Sequence, residues 1–283
     1  MRSFQVDVFG AEPFSGNGVG VFPDAGGLST AQMQRLTQEL RQFECIFLAP
    51  AEEASWTAHI FTVEEELPFA GHPVLGAGAV LHALREPGDD ARHRLLLSGG
   101  RPVEVRTRRA GDGFNAEMEQ GTASFGPPGV ASEDEILVAL GLGRGDLAPS
   151  LPLQVVSTGL PYLVVPVVGG LDRTRIRHPN FEGLLARHGA KFVYVLDVEG
   201  SEGRTWDNAG AVEDVATGSA AGPAAAYLVA HGRASAGSWQ RFRQGRFAGR
   251  PSELLARVAP SGEVTVAGSA FLVGEMRWAR LPE

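Results

Sequence analysis

The sequence contains few of the residues on which disulfide, membrane or secretory roles depend. Cys45 is the single cysteine among 283 residues, so no internal disulfide can form. Such sparse cysteine use favours a reducing compartment. No apolar run approaches the roughly 18 residues that cross a bilayer, and the first fourteen residues hold no apolar segment of signal-peptide length. We therefore expect a cytoplasmic protein without a membrane partner.

Basic clusters and metal-ligand spacings are also missing. The formal net charge is −8, and the densest basic run is the short RTRR at 106–109. An acidic chain of this kind is a poor candidate for binding nucleic acid. The seven histidines show no metal-ligand spacing. The glycine-rich GNGVGVF at 16–22 leads into a strand-like run instead of a helix, so it predicts no dinucleotide site. We expect neither a metal nor a cofactor.

What the sequence does contain is two similar halves. FAGHPVLGAGAVLHAL at 69–84 aligns with ATGSAAGPAAAYLVAH at 216–231, at a shift of about half the chain. Two more pairs keep nearly the same shift: FQVDVFG with LQVVSTG, and FECIFLA with FVYVLDV. Because these matches occur in the same order, they indicate an internal duplication.

Each half consists of strands, one helix of small residues, and further strands. Gly76 and Gly78 each cost the first small-residue helix roughly 1 kcal/mol relative to alanine, a cost that is reasonable if close packing forbids side chains there. We predict an α+β protein of two lobes, each a sheet wrapped around one apolar helix. The N-terminal lobe is placed at residues 1–120 plus a strand at about 270–283, and the C-terminal lobe at 121–269.

Both small-residue helices begin at compact turns, AGHP at 70–73 and TGSA at 217–220. Helix N-termini expose unpaired N–H groups and partial positive charge, and glycine lets a ligand approach the backbone. Two such turns suit a small carboxylate. The alternative is that His72 and Ser219 are ordinary N-cap residues.

Two acidic residues complete the set of candidates. Glu44 lies within the apolar strand FECIFLA, where alternation places it on one face with Ile46 and Leu48. A carboxyl group buried there would suit general acid/base catalysis, whereas one at a strand end would be solvated or salt-bridged. Asp214 precedes the second turn, where it could equally be a helix cap or a turn residue.

These residues lie in segments that resemble the PhzF-like family, the phenazine biosynthesis-like relatives of diaminopimelate epimerase. The matching segments run through the whole chain in order: DVFGAEPFSGN (7–17), FECIFLAP (43–50), ELPFAGHPVLG (66–76), STGLPYLVVPV (157–167), EDVATGSAAGPAAAYL (213–228) and QGRFAGRPSEL (244–254). The resemblance implies two pseudo-symmetric lobes, each a barrel-like mixed sheet around a central helix, with the active site in the cleft between them. It also implies a cofactor-free isomerase that is often a homodimer.

The resemblance carries specific roles to specific positions. The family's proton-moving glutamate matches Glu44, and its catalytic histidine and aspartate match His72 and Asp214. The expected substrate-binding residues are Gly71, Gly218, Ser219, Thr217, Gly159 and Asn17. Gly71 and Gly218 stand where the related epimerases have paired catalytic cysteines. The chain departs from the family pattern at Gly18, Val215 and Asn208, where the family usually has proline.

The working hypothesis is a cofactor-independent isomerase acting on a small unsaturated carboxylate. Glu44 would remove a proton from an activated carbon and return one elsewhere on the same molecule. One alternative is an amino-acid epimerase or racemase on the same fold, which needs two opposed acid/base groups, commonly thiols. The other is a homologue that binds a small molecule without catalysis.

Overall fold

The computed structural model describes all 283 residues and shows an α+β protein. The chain forms two compact units. The first unit comprises Met1–Glu119 with Val266–Glu283, and the second comprises Gln120–Thr265. No helix combines the length and the apolar character needed to cross a membrane.

Ten strands and helices lie within the first 122 residues, and twelve more lie in the rest of the chain. The first set is β1 (Arg2–Val8), β2 (Asn17–Phe22), α1 (Thr30–Leu40), β3 (Glu44–Pro50), β4 (Ser55–Phe61), β5 (Glu66–Leu67), α2 (Gly71–Arg85), β6 (Asp90–Leu97), β7 (Pro102–Ala110) and β8 (Gly113–Thr122). The second set is β9 (Ser124–Pro128), α3 (Glu133–Leu140), β10 (Gln154–Ser157), β11 (Pro161–Val167), α4 (Phe181–Ala186), β12 (Phe192–Asp197), β13 (Glu202–Trp206), β14 (Glu213–Asp214), α5 (Gly218–Ala230), β15 (Trp239–Gln244), β16 (Ser252–Val258) and β17 (Glu263–Arg277).

The first unit is a mixed barrel around α2. Its strands follow the order β17, β1, β2, β3, β4, β6, β7 and β8, and β8 also pairs with β17. β2 and β3 are parallel, as are β4 and β6. The pairs β17–β1, β1–β2, β3–β4, β6–β7 and β7–β8 are antiparallel. α2 contacts β1, β2, β3, β6 and β7 and is buried from its first residue through His82. A helix that is apolar on all sides requires this enclosure.

The second unit repeats the pairing order of the first. β10 and β11 are antiparallel, β11 and β12 parallel, β12 and β13 antiparallel, β13 and β15 parallel, and β15 and β16 antiparallel. Even the two-residue strand β5 on β4 has its counterpart in β14 on β13. α5 contacts β10, β11, β12 and β16. The repetition confirms the duplication and the α+β fold predicted from the sequence.

The glycines of α2 lie where the barrel wall comes closest. A Cβ atom on Gly76 would lie 2.8 Å from a methyl carbon of Val19, and one on Gly78 would lie 2.7 Å from a methyl carbon of Val105. Real Cβ contacts are longer, so neither position accepts a side chain without movement of the wall. The predicted reason for the small residues, close packing against the surrounding sheet, is confirmed.

Candidate active site

Three of the predicted site residues meet at one ring nitrogen in the first unit. Glu44 begins β3 and is only 7% exposed, and its Oε2 lies 3.2 Å from Nδ1 of His72 in the first turn of α2. Nδ2 of Asn17 lies 3.4 Å from the same nitrogen. The register explains the convergence: Val19 of β2 pairs with Glu44, and Asn17, two residues earlier, is on the same face of the strand. Glu44 is therefore buried and partnered, not solvated at a strand end.

The histidine in this cluster is uncharged. Burial lowers the pKa of His72 to about 3, although a hydrogen bond with the backbone of Gly18 acts in the opposite direction. Nε2 of the ring is buried and has no hydrogen-bond partner in the protein. The 3.2 Å contact with Glu44 is thus a hydrogen bond between a neutral ring and a carboxyl group, and not an ion pair.

A neutral imidazole can serve both protonation states of the glutamate. With its proton on Nδ1, His72 donates to an ionised Glu44. With its proton on Nε2, Nδ1 accepts from a protonated Glu44 and from the amide of Asn17, because an amide nitrogen only donates. Each tautomer thus suits one protonation state of Glu44, and neither state requires a charged histidine.

The second unit holds the other predicted acidic residue in a different setting. Asp214 ends β14 and is 8% exposed. Its Oδ2 accepts a hydrogen bond of 2.5 Å from the hydroxyl of Thr217, and its Oδ1 accepts one of 3.3 Å from the backbone N–H of Ala216. Two donors directed at the two oxygens favour the ionised carboxylate.

The start of α5 is held by side chains from β11 and β8. The hydroxyl of Ser219 lies 2.7 Å from that of Tyr162. The amide nitrogen of Gln120 donates to the carbonyl of Gly218 at 2.9 Å, and its oxygen accepts from the hydroxyl of Thr158 at 2.7 Å. Gly159, also predicted to bind substrate, is an exposed turn residue whose N–H donates to Ser157 Oγ at 3.1 Å.

The capping alternative for the two turns is wrong. The N-cap of α2 is Ala70 and that of α5 is Thr217, and neither makes a side-chain capping bond. His72 and Ser219 lie inside the first turns instead, where their side chains reach Glu44 and Tyr162. The turn interpretation of Asp214 is correct locally, since it accepts from the N–H two residues ahead.

The only thiol of the chain faces away from this chemistry. Cys45 is fully buried in a cluster with Phe22, Leu36 and Phe47, the last on the same face of β3. Burial raises the pKa of its thiol to about 12, against opposing hydrogen bonds with Thr37 and Gly20. A thiol of this kind stays protonated at neutral pH and is no acid/base catalyst.

Two buried glutamines escaped the sequence analysis. Gln120 holds Gly218, as described, and Gln244 bonds to the turn between Asp214 and Thr217. A signal existed only for Gln244, which begins the segment QGRFAGRPSEL that resembles the family. No group of three or more His, Cys, Asp or Glu residues has a metal-binding arrangement.

The chain is similar to known proteins in sequence and in fold. A family model described as "Phenazine biosynthesis-like protein" matches residues 6–276. The chain belongs to this family. The trans-2,3-dihydro-3-hydroxyanthranilate isomerase of Pseudomonas fluorescens is 33% identical over 95% of this chain and 96% of its own length.

Solved structures agree with this assignment. A protein described as a "predicted epimerase" from Pseudomonas aeruginosa superimposes with a TM-score of 0.94 at 50% identity, covering 99% of each chain. A probable proline racemase from Agrobacterium radiobacter shares the fold alone, with a TM-score of 0.62 at 15% identity over 98% of this chain and 92% of its own. The chain is a PhzF-like isomerase with the diaminopimelate epimerase-like fold. The predicted homodimer, cytoplasmic location and lack of a cofactor stay predictions.

Proposed function

We propose that this enzyme is a cofactor-independent isomerase that moves a proton within a small unsaturated carboxylate, with Glu44 as the general acid/base. The observation that supports the assignment most strongly is the buried carboxyl group of Glu44, 3.2 Å from a histidine that burial keeps neutral. A cationic histidine would hold Glu44 as a permanent carboxylate. A neutral one leaves the carboxyl group able to exchange protons.

The reaction balances without an oxidant or reductant. The Glu44 carboxylate removes a proton from a carbon next to a double bond and a carboxylate group, and the electron pair moves into the unsaturated system. The double bond shifts, and protonated Glu44 returns the proton to the carbon at the far end. His72 stays neutral as Glu44 changes protonation state, so no fixed positive charge holds the carboxyl group in its ionised form.

The second cluster is assigned to substrate binding. In this proposal the hydroxyl of Ser219 and the N–H groups of the first turn of α5 bind the substrate carboxylate and stabilise negative charge that develops during proton transfer. Gly218 and Gly71 leave the backbone open to the ligand. Asp214, held as an ionised carboxylate, accepts a hydrogen bond from a hydroxyl or amino group of the substrate. Asn17 and Thr217 orient the two acidic groups.

The proposed substrate class is supported by the chemistry of the proton shift and by one curated relative. The named substrate of the Pseudomonas fluorescens relative is itself a dihydro-hydroxyanthranilate. The epimerase alternative lacks its two catalytic groups, because glycines stand at 71 and 218 and the thiol of Cys45 has a pKa of about 12. The description of the 50% identical Pseudomonas aeruginosa structure as a predicted epimerase is the observation that favours that alternative.

The test combines turnover with hydrogen exchange. We would incubate the protein in D₂O with trans-2,3-dihydro-3-hydroxyanthranilate and with carboxylates selected by a thermal-shift screen, and follow the products by ¹H NMR. Wild type should form an isomer, and that isomer carries solvent deuterium to the extent that protonated Glu44 exchanges with D₂O before it delivers its proton. Glu44→Gln should bind the same ligand in calorimetry and form no isomer.

A matched control exists in the same unit. Glu66 also contacts a histidine, with Oε1 2.7 Å from Nδ1 of His59, but at a half-exposed position. Glu66→Gln should leave turnover unchanged. Turnover by Glu44→Gln close to the wild-type rate would refute the proposal, and binding without isomerisation by wild type across the screen would favour the non-catalytic alternative.

A further inference from the structure

The amide group of Gln244, the last residue of β15, is fixed at both ends. The side chain is 1% exposed. Its Nε2 donates to the backbone carbonyl of Asp214 at 2.7 Å, and its Oε1 accepts from the backbone N–H of Thr217 at 3.2 Å. A carbonyl only accepts and an N–H only donates, so these two partners determine which end of the amide is nitrogen.

This orientation decides the direction of the next hydrogen bond. Nε2 carries a second hydrogen, and Oγ1 of Thr217 lies 2.8 Å from it. The hydroxyl of Thr217 therefore accepts from Gln244. Its own hydrogen is left for Oδ2 of Asp214, 2.5 Å away. A short O–H to carboxylate bond of this length is typical of charge-assisted hydrogen bonds.

We infer that Gln244 is a positioning residue that acts through Thr217 to hold Asp214 ionised and in one orientation. The inference rests on the proposed function, in which Asp214 contacts the substrate. Without the amide donor, the Thr217 hydroxyl is free to rotate, and Asp214 loses the fixed donor on Oδ2. Gln244 touches no reacting atom in this scheme. It holds the backbone of Asp214 and Thr217 directly, and it acts on the Asp214 carboxylate through the Thr217 hydroxyl.

Neighbouring charges do not replace this donor. Tyr194, whose hydroxyl lies 3.5 Å from Oε1 of Gln244, stays neutral because burial and the charges of Asp214 and Glu202 raise its pKa. Glu202 is engaged by Arg246, with Nε 2.7 Å from its Oε1. The glutamine–threonine pair is therefore the neutral device that orients Asp214 within the second unit.

A double-mutant cycle separates positioning from general support of the fold. Gln244→Met and Thr217→Val should each lower kcat/KM on trans-2,3-dihydro-3-hydroxyanthranilate about tenfold, since the first frees and the second removes the hydroxyl that donates to charged Asp214. The double variant should lose no more than the worse single variant. Independent structural roles would instead make the two losses multiply, to about a hundredfold, and that result would overturn the inference.

Gln240→Met is the matched control. Gln240 is on the same strand and also bonds to α5, through the carbonyl of Ala225 at 3.4 Å, yet it contacts neither Thr217 nor Asp214. Its variant should keep wild-type kinetics. A loss in Gln240→Met equal to that in Gln244→Met would mean that the strand, and not the relay, matters.

A spectroscopic experiment tests the same relay without measuring turnover and without relying on Gln244→Met to fold. In wild type, the Thr217 hydroxyl proton should give a downfield ¹H resonance, because its bond to Asp214 is short and charge-assisted. The isosteric Gln244→Glu replaces the donor with an acceptor, so the resonance should move or vanish, as it should in Thr217→Val. An unchanged resonance in Gln244→Glu would refute the relay, whatever the outcome of the Glu44→Gln experiment.

Discussion

Mild acid should destabilise the fold through His72. Burial lowers the pKa of this histidine from 6.5 to about 3. Between these two values the unfolded chain binds a proton that the folded protein does not, so protonation favours unfolding. The contribution of buried, neutral His72 to the free energy of unfolding is fully present above about pH 6.5. It is lost progressively as the pH falls toward 3.

The magnitude follows from the size of the window. Each pH unit below 6.5 costs about 1.4 kcal/mol, so moving to pH 5 removes about 2 kcal/mol of the free energy of unfolding. That is a large part of the stability of a typical domain. Burial also lowers the pKa of His93, which destabilises the fold in the same direction. Comparing proteins that all retain His93 removes its contribution to the difference in pH dependence.

The assay is urea unfolding of wild type and His72→Gln between pH 7.5 and pH 5. The uncharged variant lacks the titrating ring, so wild type should lose about 2 kcal/mol more than His72→Gln over this range. Repeating the pair in a Glu44→Gln background removes any contribution from the contacting carboxyl group. His59→Gln, at a side chain 40% exposed, is the control for a histidine outside the cluster.

A difference between wild type and His72→Gln that does not change with pH would refute this reasoning. It would mean that folded His72 takes up a proton as readily as the unfolded chain does. The contact with Glu44 would then be an ion pair at mildly acidic pH. The argument that a neutral His72 leaves Glu44 able to exchange protons would fail. Titration of the ¹³C-labelled ring should show the same behaviour directly, with no protonation of His72 at pH 5.

Three further predictions test the packing, the buried ion pair and the thiol. Gly78→Ala should cost about 1–3 kcal/mol in thermal unfolding, because the new Cβ meets a valine methyl at 2.7 Å, whereas Gly145→Ala, with open surroundings, should be nearly neutral. Arg204 is fully buried and donates to both carboxyl oxygens of Glu213, from Nε at 2.9 Å and from Nη2 at 2.5 Å. Arg204→Met should therefore cost about 3–5 kcal/mol by leaving Glu213 without its partner, and an unchanged melting temperature would contradict this. Cys45→Ala should keep its turnover, since the thiol pKa is about 12, and a large loss would return the thiol to the mechanism.

The architecture could be predicted from the sequence because both halves of the sequence contain the features that determine it. The duplicated small-residue helices, with Gly76 and Gly78 at spacings that favour no amphipathic face, required enclosure on all sides. The enclosing strands then followed from their alternation and order. Glu44 was identifiable for a related reason, since an acidic residue inside an apolar strand needs a partner, and in the structure that partner is His72.

The glutamines that hold α5 could not be predicted in this way. Gln244 bonds to Thr217, 27 positions away, and Gln120 bonds to Gly218, 98 positions away. A polar residue in a strand has no local signature that distinguishes a solvated side chain from a buried one. The capping hypothesis failed for a similar reason, because the turn places the N-cap one residue before the glycine and turns His72 and Ser219 inward.

The two buried carboxyl groups differ in the kind of partner described for each, and this difference supports the roles proposed for them. Glu44 contacts an imidazole that can donate or accept, so its protonation state is free to change during a reaction. Asp214 contacts a backbone N–H and a hydroxyl whose hydrogen Gln244 directs toward it, so these partners only donate. Carboxyl groups whose surroundings favour different protonation states divide acid/base work from charge recognition. For Asp214 to take the acid/base role, the hydrogen bonds of Gln244 would have to run in the opposite direction. Gln244→Glu is therefore a sharper test of the role of Asp214 than a substitution at either carboxyl group.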